Sequence, residues 1–328
     1  MSISGRRCLI YGLLGFVGVL TAATILGFWE GGWWGFGLLA HLRGQYCWGL
    51  LLCAVMLVWL DRSWAVLCLI PLVVNWAIVG ALYWPASTQF VGGAESSLKV
   101  LHFNLDRHNA QLEAIIAYLN AQTVDLMALQ EITPTWAERL PALTHYRVVG
   151  LEVRENSHGS ALLVPQNSSA KMQVLAIETL HFPEDAQRPM LVGEFEVNKH
   201  RLAFLSLHVT RPRSQNTAAF QQQELGAIAQ WSQTVQAQGQ ALIVMGDCNS
   251  TPWAKGFRAF QRDGRPVNSQ QGYGWQTTWM AGWPAPLRIA IDHCLHSPGL
   301  VTVNRAIGPT LGSDHLPLIV EIDFQKAS

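Results

Sequence analysis

Charge is what this chain has least of. Only 13% of its 328 residues are Asp, Glu, Lys or Arg, where about a quarter is usual for a soluble protein. The shortage is concentrated: residues 1–94 hold only Arg6, Arg7, Glu30, Arg43, Asp61 and Arg62 as charged side chains. Residues 95–328 keep 18 basic and 20 acidic groups, an ordinary soluble composition with a net charge near −2. That part lacks the basic excess that grips a long polyanion, which counts against extended nucleic acid as the preferred ligand. No C-x-x-C spacing occurs among the six cysteines, so nothing in the spacing suggests zinc. Internal repeats and low-complexity tracts are also missing, which excludes a solenoid.

Long apolar runs fill the place of the missing charge. Leu9–Phe28 is twenty residues without a charge, enough to cross a hydrocarbon layer of about 30 Å. Arg6 and Arg7 precede it, which puts the N-terminus in the cytoplasm by the positive-inside tendency. Trp29-Glu30-Gly31 is a poor small-residue cleavage site, so an uncleaved helix is expected. A second apolar block spans Gly44–Leu60 and a third Trp64–Trp84, the latter containing Pro71 and Asn75. Asn75 is expected to bond a neighbouring helix. Eight of the 14 tryptophans lie in the first 94 residues, as suits a membrane interface. About three transmembrane helices are thus expected over residues 1–84. With three crossings the remainder lies outside the cytoplasm, at a bacterial-type inner membrane; with two, the side reverses. Pro85–Ser97 reads as a linker, and residues 98–328 as one catalytic domain.

After the linker the pattern changes to strands punctuated by helices, the mark of an α/β or mixed-layer fold. Strands are expected at Leu98–Leu105, Val124–Gln130, Ser160–Val164, Leu191–Val197, Leu202–His208, Ala241–Met245, Ile289–His296 and Leu316–Ile322. Helices are expected at Asn109–Ala121, with Asn109 as N-cap, and at Thr217–Ala237. Polar residues cluster where these apolar runs end: Asn104, Glu131, His208, Asp247, Asn249, Asp292, Asp314 and His315. Singly each reads as a turn residue or a satisfied core group. Together and in this order they form a pattern.

The segments KVLHFNL, TVDLMALQE, HGSALLV, FLSLHV, IVMGDCNSTPW, RIAIDHCL and GSDHLPLIVEI resemble the endonuclease/exonuclease/phosphatase superfamily, the deoxyribonuclease I-like fold, over Leu98–Asp323. The resemblance implies an α/β (α+β) four-layer fold, two sheets sandwiched between helices. It also implies Mg²⁺-dependent phosphoester hydrolysis, with Mn²⁺ able to substitute. Glu131, Asn104 and Asp314 would serve the metal, an oxygen-only set of the kind Mg²⁺ prefers. Asp247 would orient or deprotonate the attacking water, and Asn249 would bond the phosphate. His315 would contact the phosphate or transfer a proton, with Asp292 holding its tautomer. His208 would donate to a phosphate oxygen or assist the leaving group.

By strand alternation Cys248 and His293 should face away from the cleft. His158 could reach it, and Arg211 and Arg213 form a rim or solvated loop charges. A Cys248–Cys294 disulfide stays open at this level. The substrate is a phosphoester: a lipid-linked one is favoured by the anchor, which keeps the enzyme at high effective lipid concentration. A membrane-tethered nuclease is the alternative, and a silent membrane scaffold the rival of another class. Membrane lipid is the expected partner, and no obligate protein partner is evident. Trp253, Trp275, Trp279 and Trp283 supply either a lipid- or base-facing surface or core packing.

Overall fold

Strands such as Leu126–Leu129 are apolar at consecutive positions, so both their faces must be covered. The computed structural model, which describes residues 2–29, 32–85, 97–167 and 171–325, covers them with a second sheet on one side and helices on the other. Its N-terminal part holds α1 (Ile3–Leu26), α2 (Gly35–Ala40), α3 (Arg43–Ala65) and α4 (Leu69–Gly80). There follow β1 (Leu98–Asn104), α5 (Leu112–Asn120), β2 (Leu126–Gln130), α6 (Pro134–Arg139), β3 (Tyr146–Glu152) and β4 (Ser160–Pro165). The second half contains β5 (Met172–His181), β6 (Pro189–Val197), β7 (His200–His208), α7 (Gln215–Ala237), β8 (Ala241–Asp247) and α8 (Lys255–Gly264). Strands β9 (Val267–Asn268), β10 (Asp292–His296), β11 (Leu300–Ile307) and β12 (Leu318–Phe324) complete it.

The strands form two six-stranded mixed sheets, ordered β11-β12-β1-β2-β4-β3 and β5-β6-β7-β8-β10-β9. Parallel pairs sit at the centre of each, β1 with β2 and β7 with β8. Leu126, Leu162, Phe195, Phe204, Met245 and Val320 fill the space between the sheets. Helices α5 and α6 cover the outer face of the first sheet with Ile115, Leu119 and Trp136. Helices α7 and α8 cover the second with Leu225, Ile228, Phe257 and Phe260. The four-layer sandwich expected from the resemblance is present. Cys248 lies in the helix-side core and Cys294 between the sheets, and both are free thiols, so no disulfide joins them.

Local chemistry moves several boundaries. Asn109 does not cap α5: its Oδ1 accepts from Gln111 N at 2.9 Å and its Nδ2 donates to Leu105 O and Leu311 O, which ties down a loop. The helix therefore starts at Leu112. Strand β10 starts at Asp292 because Ile289 pairs with Trp279 instead. Strands β3, β5, β9 and β11, with helices α6 and α8, have no counterpart among the expected elements.

Helices α1, α3 and α4 pack on one another through Val17, Leu20, Leu50, Cys53, Leu57 and Cys68. Among the described residues two stretches are long and apolar enough to cross a membrane, Ile3–Leu26 and Arg43–Tyr83. Three separate spans are not shown. The second and third expected blocks share one stretch, interrupted at Asp61, whose φ of −162° and ψ of 100° break the helix. Inside the bundle Asn75 donates to Thr24 Oγ1 and accepts from Arg43, the interhelical role expected of it. The linker falls outside the described residues except at its ends, Pro85 and Ser97.

The bundle is seated on the sandwich. Gly272 N and Gly274 N donate to Leu82 O at 2.8 and 3.0 Å, and Gln45 Nε2 donates to Arg288 O at 2.8 Å. Trp253 and Trp275 pack against Ala40, Cys47, Val79 and Leu82, so for these two core packing is the outcome. Gly44 is required there: a Cβ would lie 2.1 Å from Trp275 Cζ2.

Candidate active site

Strands that end together at one edge of a sandwich aim their last side chains into a common cleft. Asn104 ends β1, Gln130 ends β2 with Glu131 just after it, His208 ends β7, and Asp247 ends β8. Asp292 opens β10, directly paired with Asp247, and Asp314 and His315 precede β12. The cleft they face has a volume of about 530 Å³ and is lined by Glu131, His208, Asp247, Asn249, Asp314 and His315, with Arg107, Arg188, Arg211 and Arg213.

Two of these residues carry backbone strain. Glu131 (φ 64°) and Asn249 (φ 46°) occupy the left-handed region, a conformation that persists only where the surroundings over-determine it. Glu131 is fixed by Asn104 Nδ2 on Oε1 at 3.3 Å and Arg107 N on Oε2 at 3.0 Å. Asn249 donates from its backbone N to Asp247 Oδ1 at 2.7 Å, and from Nδ2 to Asp247 Oδ2 at 3.2 Å and Val209 O at 3.0 Å. Gly246 before it is at φ 147°, where a Cβ would meet Leu207 O at 2.0 Å. Beneath the cleft the buried Gln130 bridges the sheets: its Nε2 donates to Leu207 O, and its Oε1 accepts from Asp247 N at 3.4 Å.

Asp292 is fully buried between two imidazoles. Its Oδ2 lies 2.8 Å from His315 Nδ1, and its Oδ1 lies 2.9 Å from His102 Nε2. His315 Nε2 turns toward the cleft, 3.7 Å from Asp247 Oδ2 and 3.8 Å from Asp314 Oδ1. Burial alone would lower His315, but the charge of Asp292, its hydrogen bond, and Asp247 and Asp314 raise it to about 10. For Asp292 burial pushes upward, and the two histidines overcome it, holding the carboxylate ionised. Asp247 goes the other way: burial dominates and lifts it to about 7, against the pull of His315. His208 Nε2 is 3.7 Å from Asp247 Oδ2. Burial first, then the Arg188 charge, keep His208 neutral. The neighbourhood thus holds one cationic imidazole, one neutral imidazole and a carboxylate poised near neutrality.

Asp314, half-exposed, accepts from Trp279 Nε1 at 2.9 Å, and the Trp279 ring lies under the Arg211 guanidinium at 4.5 Å. Arg211 and Arg213 both line the cleft, as a rim would. His293 faces away, with Nε2 2.8 Å from Ser250 O and its ring on Phe257. His158 does not line the cleft; burial, then Arg188, Arg154 and Arg107, lower it to about 4.

The donor chemistry suits a hard divalent ion. Glu131 and Asp314 are carboxylates opening on the cleft, oxygen donors of the kind hard divalent cations take. Asp247, Asp292 and His315 also come within 4.8 Å of one another. There, however, both Asp292 oxygens already accept from histidines, so the cluster is better suited to holding protons than an ion. Asn104 presents its NH₂ to Glu131, because its Oδ1 accepts from Asp106 N at 3.1 Å. It orients Glu131 in this arrangement instead of offering an oxygen.

Sequence reasoning missed His102, Gln130 and Arg188. His102 shares the face of Asn104 by the two-residue period of β1, and that signal was available in KVLHFNL. Gln130 stood beside Glu131 in the same motif. Arg188 comes from the segment before β6, with no motif around it.

Residues 101–315 match the sequence profile of the endonuclease/exonuclease/phosphatase family, and the chain belongs to that family. Its members are in general metal-dependent phosphoester hydrolases. Solved structures with the same fold include humanized D. rerio TDP2, at 16% identity and TM-score 0.56, covering 70% of this chain and 99% of that one. The human Nocturnin catalytic domain with bound sulfate follows at 18% and 0.55, covering 70% and 95%. A Bacteroides thetaiotaomicron mannosyl-6-phosphatase gives 17% and 0.55, covering 69% and 100%. At such identities the likeness speaks for the fold. No curated protein matches the sequence significantly.

Proposed function

We propose that this chain is a membrane-anchored, divalent-metal-dependent phosphoester hydrolase, with its catalytic domain outside the cytoplasm and a lipid-linked phosphoester as substrate. The observation that carries the reaction type is the cleft in which Glu131, Asn249, Asp314 and the Asp247/His315/Asp292 cluster meet arginines. Glu131, with Asp314 beside it and Asn104 orienting it, would hold Mg²⁺, with Mn²⁺ able to substitute. Bound there, the ion neutralises phosphate charge and the charge that grows on the leaving oxygen. Asp247 takes the proton of the attacking water as the water oxygen bonds to phosphorus. The ester P–O bond then breaks, its electron pair staying on the leaving oxygen. His315, kept cationic by Asp292, donates to a phosphate oxygen and neutral His208 supplies a further N–H, while Asn249, whose amide hydrogens are taken by Asp247 and Val209, positions Asp247 instead of bonding the phosphate. Arg188 and Arg211 add positive charge at the cleft wall.

The topology is supported by where the charges fall. The Arg6 guanidinium donates to Leu60 O, so Arg6, Arg7 and Arg62 gather at the bundle end away from the sandwich. A basic end belongs in the cytoplasm. The lipid reading is supported by Met280–Leu287, eight residues without a charge, closed at the base by the Trp279–Ile289 bridge. Ala285–Leu287 packs against α3, while Trp283 (54%) and Leu287 (45%) are exposed. This apolar lip joins the bundle to the cleft rim at Trp279.

The test is hydrolysis of an aryl phosphodiester by the full chain in detergent with Mg²⁺, Mn²⁺ or EDTA, beside His315→Ala. Metal-dependent turnover lost in the variant is expected, followed by cleavage of vesicle phospholipid and not of plasmid. Vigorous plasmid cutting would favour a tethered nuclease. No turnover of any phosphoester in lipid would leave a silent scaffold.

A further inference from the structure

The loop after β8, which carries Asn249, is held from three directions. The Gln221 amide of α7 donates to Cys248 O and Asn249 O at 3.4 and 3.1 Å. His293 of β10 holds Ser250 O at 2.8 Å. The third hold comes from outside the sandwich. His41, between α2 and α3, places Nδ1 3.0 Å from Thr251 Oγ1 and 3.3 Å from Thr251 N. Both groups donate to the one lone pair of that nitrogen, which leaves the ring proton on Nε2. Burial keeps His41 neutral, lowering it to about 4, so the acceptor survives at ordinary pH. Two residues further on, Trp253 is buried on Ala40, Cys47, Val79 and Leu82 of the helical part.

Thr251 is fully buried and stands two residues from Asn249. Asn249, at φ 46°, is in the left-handed region that persists only where its surroundings hold it, so it relaxes when its supports are removed. Its amide and backbone N–H bind both oxygens of Asp247, and a shift of the loop therefore moves the carboxylate that faces the attacking water.

We infer that His41 is a positioning residue: through Thr251 it lets the membrane-side helices fix the Asp247–Asn249 pair, so that the helical part completes the active site. This rests on the hydrolase reading above. It implies that turnover responds to how the bundle is seated as well as to metal and substrate.

The experiment compares wild type, His41→Ala, His41→Asn and Thr251→Val, all as full chains in detergent, on a soluble aryl phosphodiester. In His41→Ala kcat is expected to fall by about ten- to a hundredfold, the scale of an approximately 1 Å misplacement, with KM little changed. His41→Asn keeps an oxygen acceptor and is expected to recover most of the loss, and Thr251→Val, which keeps the N–H, to lie between. Amide exchange at residues 249–251 is expected to quicken in His41→Ala while β1 and β2 stay protected. An unchanged kcat, an Asn variant as impaired as Ala, or unchanged exchange overturns the inference. Should His41→Ala unfold, Thr251→Val decides it. Should wild type itself show no turnover, the hydrolase reading falls, and the exchange comparison alone judges whether His41 holds the loop.

Discussion

In the sandwich, Leu101, Phe103, Phe204 and Ile243 are wholly buried, and most of its charges face water or the cleft, Asp292, Glu224 and Arg305 being among the buried exceptions. In the helical bundle apolar residues lie both inside, as at Leu50 and Leu57, and outside. Arg43, Asn75 and Thr24 are buried, while Val19, Leu52, Val58 and Trp59 (85%) face outward. One chain therefore shows two burial patterns, and with the bundle embedded in a membrane, as proposed above, each follows from its surroundings. In water, apolar area is driven inward at about 25 cal/mol per Å². In a bilayer that force between helices vanishes, and close packing with a few polar contacts holds the bundle. The seam between them, at Trp253, Trp275 and Leu82, is where the two rules meet.

The comparison can be broken most severely at the cleft. Asp247→Asn is expected to lower kcat/KM for an aryl phosphodiester by about 10²–10⁴-fold, with the thermal midpoint near or above wild type at alkaline pH. Asp247 is raised from 3.8 to about 7 on folding. Its favourable contribution is therefore complete below 3.8 and lost as pH rises through about 7. His315, raised from 6.5 to about 10, contributes below 6.5 and loses this through about 10. Below 6.5 the slope is opposed by His41, His158 and His293, lowered to about 4 by burial, and by His208, lowered further, which bind protons only when unfolded. The metal-free midpoint should therefore rise from about pH 4 to 6.5 and fall from about 6.5 to 10 as His315 loses its proton, and Asp247→Asn should steepen the rise. A midpoint that keeps rising from 6.5 to 10 would contradict the assignment of His315.

Next in size is Phe204→Ala, in the intersheet core, expected to cost about 3–5 kcal/mol in denaturant titration. Leu52→Arg, on the bundle's outer face, is expected to cost about 3 kcal/mol of membrane insertion, read as the fraction extracted by alkaline carbonate. Leu151→Arg, equally apolar and half-exposed on β3, should stay within about 0.5 kcal/mol of wild type. Equal tolerance at 52 and 151 would mean that both surfaces face water. Asn75→Ala is expected to cost little, about 0.6 kcal/mol by analogy with interhelical hydrogen bonds in membranes, measured by thermal melting in detergent.

What could be read from the sequence followed burial. Strands β1, β2, β7 and β8 are covered on both faces and announce themselves as unbroken apolar runs. The four unforeseen strands, β3, β5, β9 and β11, are the four outer strands of the two sheets. Edge strands such as β3 alternate irregularly between buried and open positions, and β9 is two residues long, so neither period nor length marks them. Helix α8 was lost in a polar stretch whose buried residues, Phe257 and Phe260, are few. At the site, residues at strand ends were legible because motif and position coincide there. His102 was legible through the two-residue period it shares with Asn104, whereas Arg188 lies in a segment of no recognisable pattern. The contact of His41 with Thr251 spans 210 positions and has no local signature at all.

Gln130 belongs to the first sheet, yet both ends of its amide grip the second, at Leu207 and Asp247. Its next neighbour in the chain is Glu131. The two banks of the cleft, one carrying Glu131 and the other Asp247, are thus kept apart by the length of a single side chain, which works as a spacer gauge between two stacked plates. Any sliding of the plates must first stretch or bend that gauge. The aperture offered to a phosphate is therefore a property of one glutamine as much as of the residues that line it.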